Sequence, residues 1–373
     1  MDAYGVAYYL GECDADEFLI ELAKELQCFP PTLFSDPYGH LLNELEPVAE
    51  FPLTKSESSD ILTSLKNELI ESQQRFNTDQ KIPELMMKGE WDKVIKLSDE
   101  SNPAHLNNLA WAYTMQGNEL FREARFKKHE QLFQECLGKY KKAVEINPNM
   151  NEAFNNWAYA LYELALIKND ETIFQLSCDK CQQATAINPN MHEAFNNWGN
   201  ALSNIAKLNG DEPVFLKSFE KYQQAINIKS DMYEAFSNWG SALSELAKLK
   251  ADEVILLEGL DKFQEAAKIR PDDYETLNNW GNALLLGYEL FKKTQFLNQA
   301  QDILTSAEKL DADHVYNLAC LYSRINGKDK CKEKLLRCRD AKTLPNKAHL
   351  RDDKDLENVR NEPWFEELIN SID

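Results

Sequence analysis

Apolar and polar positions recur along the middle of the chain at a fixed step. Tryptophans stand at Trp157, Trp198, Trp239 and Trp280, each 41 residues after the last, inside the blocks NEAFNNWAYAL, HEAFNNWGNAL, YEAFSNWGSAL and YETLNNWGNAL. A second series keeps the same step, with YKKAVEINPN, CQQATAINPN, YQQAINIKSD, FQEAAKIRPD and LTSAEKLDAD beginning at Tyr140, Cys181, Tyr222, Phe263 and Leu304. In the first block Phe195, Trp198, Leu202 and Ile205 follow one another at three- and four-residue steps, and Phe215, Phe219, Tyr222 and Ile226 do so in the second. That spacing puts each set on one face of a helix, so every unit is predicted to be two helices packed face to face.

Punctuation fits the same division. Pro148, Pro189 and Pro271 stop the preceding helix. Asn149, Asn190, Asp231 and Asp272 each stand three residues before a glutamate, Glu152, Glu193, Glu234 and Glu275, which predicts capping boxes at the first-helix starts. Weaker copies flank the clear ones. LNNLAWAYTMQG from Leu106 fits the first-helix pattern with Leu109 in the tryptophan place, VYNLACLYSRI fits with Leu318, and MKGEWDKVIKLSDESNP around Trp91 reads as half of an opening unit.

These residues resemble the tetratricopeptide consensus, with Phe195, Trp198-Gly199 and Leu202 in its first-helix places and Ser218, Tyr222 and Ala225 in the second. The resemblance implies an all-α fold, a right-handed superhelical solenoid of antiparallel helix pairs. It extends over residues 81–345, with four clear repeats within 149–312. The family unit is about 34 residues; the surplus lies between Leu202 and Ser218 and adds roughly one turn to each helix. Residues 346–373 look like the terminal segment that closes some bacterial arrays, with Pro363, Trp364 and Phe365 as capping contacts. Residues 1–80 match no family and are expected to form a small, mostly helical region around ADEFLIELAKELQ and SSDILTSLKNELIESQQRF, broken by proline loops.

In this family the first helices usually line a concave groove. Their residues facing away from the core form a polar stripe at about 100–150° from the apolar centre: Asn155, Tyr159 and Tyr162; Asn196, Asn200 and Ser203; Ser237, Ser241 and Ser244; Asn278, Asn282 and Leu285. Beside it runs a second asparagine, Asn156, Asn197, Asn238 and Asn279, with Asn108 and Asn317 in the flanking copies. An amide donates and accepts at once, so such a ladder suits the backbone of an extended peptide; it suits equally a bond to a neighbouring helix. Tyr159 and Tyr162 are candidates for an exposed contact, whereas the tryptophans occupy a core leucine's place. The carboxylate clamp of the family is not expected, because asparagine or serine stands where its first lysine would be. The four glutamates are read as capping partners, with contact to a basic ligand as the alternative.

Composition then narrows the field. Hydrophobic residues are 43% of the 373, and 62 acidic against 41 basic side chains leave a formal charge of −21, which disfavours nucleic acid and anionic membranes as partners. No apolar run reaches the roughly 18–20 residues of a membrane span, and the acidic N-terminus lacks the basic region of a signal peptide, so the expected location is the cytoplasm. Eight scattered cysteines suit free thiols; the lone Cys178-x-x-Cys181 has no second ligand pair for zinc. Phosphate-loop, HExxH and dinucleotide signatures are missing, so no catalytic residue, metal or cofactor is assigned. The expected function is a non-catalytic protein-interaction scaffold or adaptor holding a peptide or protein in the groove. The alternative is a chaperone or secretion-linked protein, such as a bacterial effector acting in a host cell.

Overall fold

The computed structural model describes residues 78–372, together with Ser64 and Asn67, both helical. The helices expected before residue 78 otherwise lie outside the described residues. The chain divides into two compact units, Met1–Ala112 and Tyr113–Asp373. In the first, a helical stretch over 78–87 and helix α1 (Trp91–Leu97) bury Ile82, Leu85, Val94 and Ala112 together. The imidazole of His105, at the start of α2 (Pro103–Lys127), bridges two strands of contact there, meeting Asp79 at 2.7 Å and accepting from the backbone of Asp99 at 3.0 Å.

The second unit is all helical, in antiparallel pairs. α3 (Glu130–Ile146) pairs with the end of α2, and four further pairs follow: α4 (Asn151–Lys168) with α5 (Glu171–Ile187), α6 (His192–Asn209) with α7 (Glu212–Ile228), α8 (Tyr233–Lys250) with α9 (Glu253–Ile269), and α10 (Tyr274–Phe291) with α11 (Thr294–Leu310). Each first helix also touches the first helix of the next pair, so α4, α6, α8 and α10 form one continuous row. α12 (Tyr316–Arg324) and α13 (Lys328–Asp340) form a short last pair, followed by α14 (Lys347–Asp352), a 3-10 turn (Lys354–Leu356) and α15 (Pro363–Asn370). This is the tetratricopeptide arrangement of stacked hairpins. Each full hairpin has helices of 18 and 17 residues, and the first helices begin 41 residues apart.

What sets the packing within a pair is a small residue opposite a large one. A Cβ on Gly199 would come within 2.6 Å of the Tyr222 ring, and one on Gly117 equally close to Tyr140. Gly240 lies so near Gly259 that a Cβ would meet the Gly259 carbonyl oxygen at 2.9 Å, and Phe263 fills the space alongside. Tyr140, Tyr222 and Phe263 are among the largest fully buried side chains. The helices approach closely because the glycine leaves room, and the aromatic ring then removes a large apolar area from water.

The contact of Gly117 with Tyr140 corrects the register expected for the flanking copy. Gly117 stands one 41-residue step before Ala158, so Gln116, and not Leu109, holds the tryptophan place, and Asn108 drops out of the asparagine row. The LNNL pattern belongs to additional N-terminal turns of α2, which at 25 residues is longer than the helices it resembles.

The capping boxes are also corrected. α4, α6 and α8 begin at Asn151, His192 and Tyr233, and the residues at their N-caps are Met150, Met191 and Met232, with no side-chain cap. Met150 and Met232 are buried, and the apolar contact takes the place of a polar cap. Asn147 and Asn188 instead close turns by accepting from the backbones of Asn149 and Asn190. Side-chain caps are found at Asp273, before α10, and at the second helices, where Asp170, Asp211 and Asp252 accept from backbone N–H groups one turn inside α5, α7 and α9. Before each of those three aspartates one residue takes the left-handed conformation that ends the first helix: Asn169, Gly210 and Ala251.

The array ends in an apolar cluster. Phe365, Leu368 and Ile369 of α15 are buried with Leu335, Leu350, Leu356 and Val359, and Trp364 packs edge-on against Phe365. No helix of the described residues is long and apolar enough to cross a membrane.

Candidate functional site

The asparagines at the two predicted positions do different things. Asn197 donates through its amide to the Oδ1 of Asn155 at 3.0 Å, Asn238 donates to Asn196 at 3.0 Å, and Asn317 donates to Asn278 at 3.0 Å. Asn156 donates to Asn118. Side chains one repeat apart are therefore bonded in pairs along the row of first helices. Asn155 and Asn196 are buried, so these amides sit between helices rather than on a groove wall. The row breaks at Ser237, which is buried and stands where Asn155 and Asn196 stand in the two preceding repeats; Asn279, which would reach for it, is exposed.

A cleft of about 810 Å³ opens along the first-helix row, from Tyr162 on α4 to the cap segment after α13. Of the predicted residues it brings together Tyr162, Asn200, Ser203, Asn238, Ser241, Ser244, Asn279, Asn282 and Asn317; it leaves out Asn155, Asn156, Tyr159, Asn196, Asn197, Ser237, Asn278 and Leu285. One helical turn separates Asn196 from Asn200, Ser237 from Ser241 and Asn278 from Asn282, and that turn decides between helix contact and cleft wall. Asn200 is steadied from behind, its Oδ1 accepting from the buried Tyr222 hydroxyl at 2.8 Å. Ser241 donates back to the Ser237 carbonyl, and Asn282 is exposed. At the far end the wall is Tyr316 of α12 and Pro345, with His349, Asp352, Asp353 and Asp355 from the segment that sequence reasoning assigned to capping alone.

Tyr159 and Tyr162 do not stand out into solvent as expected. They stack on each other with ring centroids 6.4 Å apart, between Phe121 at 5.3 Å from Tyr159 and Phe174 at 5.8 Å from Tyr162. Burial, with Glu163 beside it, pushes the Tyr162 hydroxyl up to about 12. An aromatic run four residues long in space outcompetes exposure because each ring removes apolar area from water.

The tryptophans carry a feature that sequence reasoning missed. Lys180, Lys221 and Lys262 place their ammonium groups over Trp157, Trp198 and Trp239, at 4.2, 3.9 and 3.9 Å from the ring centroids. Trp239 is buried, and Trp157 and Trp198 are half-buried. The lysines lid the rims of the core while keeping contact with water, and partial burial draws Lys180 and Lys221 below the usual lysine range. The signal was present: a lysine precedes the second-helix aromatic place at the same 41-residue step.

Two cysteine groups complete the inventory. Cys178 and Cys181 are buried and free; burial raises the Cys178 thiol to about 12 and holds the Cys181 thiol well above the usual range. Cys320, Asp353 and Asp355 hold donor atoms within 4.8 Å of one another. Asp353 accepts from the Tyr316 hydroxyl at 2.6 Å, and Asp355 accepts from Arg324 at 2.5 Å. With these bonds already made, the group joins the cap segment to α12.

Residues 125–234 match the family model of the plant-specific mitochondrial import receptor subunit TOM20. No curated protein matches the chain. Among solved structures, a tetratricopeptide repeat protein from Parabacteroides merdae is 15% identical, over 80% of this chain and 98% of its own, with a TM-score of 0.48. The Pseudomonas aeruginosa protein PilF is 12% identical over 67% and 96%, with a TM-score of 0.45. YrrB, described as a TPR protein with an unusual peptide-binding site, is 18% identical over 61% and 95%, with a TM-score of 0.38.

Proposed function

We propose that this chain is a non-catalytic scaffold of the cytoplasm that holds an extended segment of a partner protein in the cleft along its first helices. The observation that carries this reading is the break in the asparagine pairs: where Ser237 replaces asparagine, the Asn279 amide is left exposed on the cleft wall, beside Asn282 and near Ser241. Amides at successive repeats donate to and accept from a peptide backbone without reading its side chains. The formal charge of −21 favours protein over nucleic acid as the partner.

A photo-crosslinking residue at Asn282, compared with one at the exposed Lys217 on α7, tests it. Partners captured at position 282 and not at 217 support the cleft. Equal capture at both positions would move the binding surface elsewhere.

The match of residues 125–234 to an import-receptor family favours a second reading, in which the segment held belongs to a protein in transit to an organelle. It shares with the secretion-linked alternative the idea of a client bound for transport. The captured proteins separate the two: resident cytoplasmic partners support the scaffold, and precursors carrying targeting segments support the receptor.

A further inference from the structure

We propose that the segment held in the cleft is basic, and that a lysine or arginine of it sits at the cap end against Asp352, Asp353 and Glu289. This rests on the cleft reading above and specifies its ligand.

Charge is distributed unevenly along the cleft. Lys207, Lys248 and Glu289 occupy the same register on α6, α8 and α10, so the row changes sign at α10. At the α6–α8 end the Lys207 ammonium is held by Glu245 at 2.5 Å, and those two charges cancel. At the cap end Asp352, Asp353 and Asp355 join Glu289 on the wall. Two cations answer them from outside the lining: Arg324 holds Asp355 at 2.5 Å, and Lys354, largely exposed, reaches Glu289 at 3.2 Å. Asp353 receives its hydrogen bonds from neutral donors, the Tyr316 hydroxyl and the Cys320 thiol at one oxygen and the backbone N–H of Asp355 at the other, with His349 3.7 Å away. Asp352 is exposed at the end of α14. Lys248 on α8 adds one positive charge to the lining, so the four carboxylates Glu289, Asp352, Asp353 and Asp355 face at most three cations, and the cap end keeps negative charge inside a partly enclosed space, where screening by salt is weaker than on open surface.

An occupant with the opposite charge matches this end, and the exposed amides of Asn279 and Asn282 lie next to it to receive the backbone on either side. The same charge disfavours an acidic segment, including the chain's own N-terminal residues, where 2–25 alone carry Asp2, Glu12, Asp14, Asp16, Glu17, Glu21 and Glu25.

The test uses the full chain and three fluorescent peptides of about twelve residues, with one alanine–serine backbone and lysine, glutamine or glutamate at the same positions, followed by fluorescence anisotropy. The wild type is expected to bind the lysine peptide about tenfold tighter than the glutamine peptide, and the glutamate peptide most weakly. Asp352→Lys is expected to abolish that preference and Glu289→Gln to reduce it. Glu220→Lys, exposed on α7, alters the net charge as much as Asp352→Lys and is expected to leave the preference intact, which separates the cleft from the general attraction of an acidic protein. Thermal melts by circular dichroism establish that each variant is folded. Asn279→Ala with Asn282→Ala is expected to weaken all three peptides alike.

Equal or tighter binding of the glutamate peptide, or a preference that survives Asp352→Lys, overturns the basic-segment proposal while the cleft stands, provided the asparagine pair still matters. If the asparagine pair leaves every affinity unchanged, the cleft reading itself falls. Absence of binding by all three peptides overturns both.

Discussion

Asn196 and Asn200 are the same residue type on the same helix, one turn apart, and they belong to different parts of the molecule. Asn196 is buried and accepts from Asn238 of the next repeat; Asn200 lies on the cleft wall and is held from behind by Tyr222. On a helix, four residues amount to about 40° of rotation. That small turn moves an amide from the seam between two repeats to the surface they share. A periodic polar residue is thus adhesive or contact depending on whether the next helix carries a partner within reach.

The largest expected effect comes from the ring that underlies the cleft row. Tyr222→Ala empties a fully buried site and is expected to cost about 3–5 kcal/mol, read as a lowered urea midpoint; Tyr222→Phe keeps the ring and loses only the hydroxyl's bonds, the short one to Asn200 and the longer one to Ser203, about 1 kcal/mol. A similar loss for both variants would show that the hydroxyl, not the ring, holds the pair together. Next is Asn196→Ala, which leaves the Asn238 amide without its acceptor and is expected to cost about 1–2 kcal/mol. A double-mutant cycle with Asn238→Ala should recover most of it, and additivity of the two losses would break the assignment of this row to the seam.

Ser237→Asn sharpens the comparison from the other side. It supplies the acceptor that the earlier repeats have, so Asn279 should turn inward, raising stability by about 0.5–1 kcal/mol and weakening any ligand of the cleft. Lowered stability with unchanged binding would mean that Ser237 is set by space alone. Smallest is Asn282→Ala, whose exposed amide should leave stability within about 0.5 kcal/mol of wild type; a larger fall would return Asn282 to the seam.

The helix pairs and their step were legible because burial imposes a strict period on apolar residues, and four copies make that period unmistakable. The split between the asparagine rows was not. A helical wheel gives the direction of Asn155 and Asn200 but not the position of the next helix, and only the neighbour decides which amide is engaged. The helix starts were misread for a related reason: Asn149 and Glu152 have the right spacing for a cap, but the burial of Met150 fixes where α4 begins. At Leu109 the apolar spacing was helical and true to α2, but in the wrong register, because the deciding contact, Gly117 with Tyr140, joins residues on different helices. The cap end of the cleft was invisible for want of any repeat, since Asp352 and Asp353 reach the first-helix row only through the path of the chain after α13.

The pairing of glycine with a large ring has a consequence for how such an array can change over generations. In the α4–α5 hairpin the same two places hold Ala158 and Cys181, a larger residue on one helix and a smaller one on the other. Passing from the Gly199–Tyr222 form to this one by single substitutions leads through either a void or a collision, because a Cβ at 199 meets the ring at 2.6 Å. Neither half is portable alone. Copying or exchanging a whole hairpin carries both halves across intact, so duplication and recombination at hairpin boundaries offer this chain a smoother road to new surfaces than mutation of its matched positions one at a time.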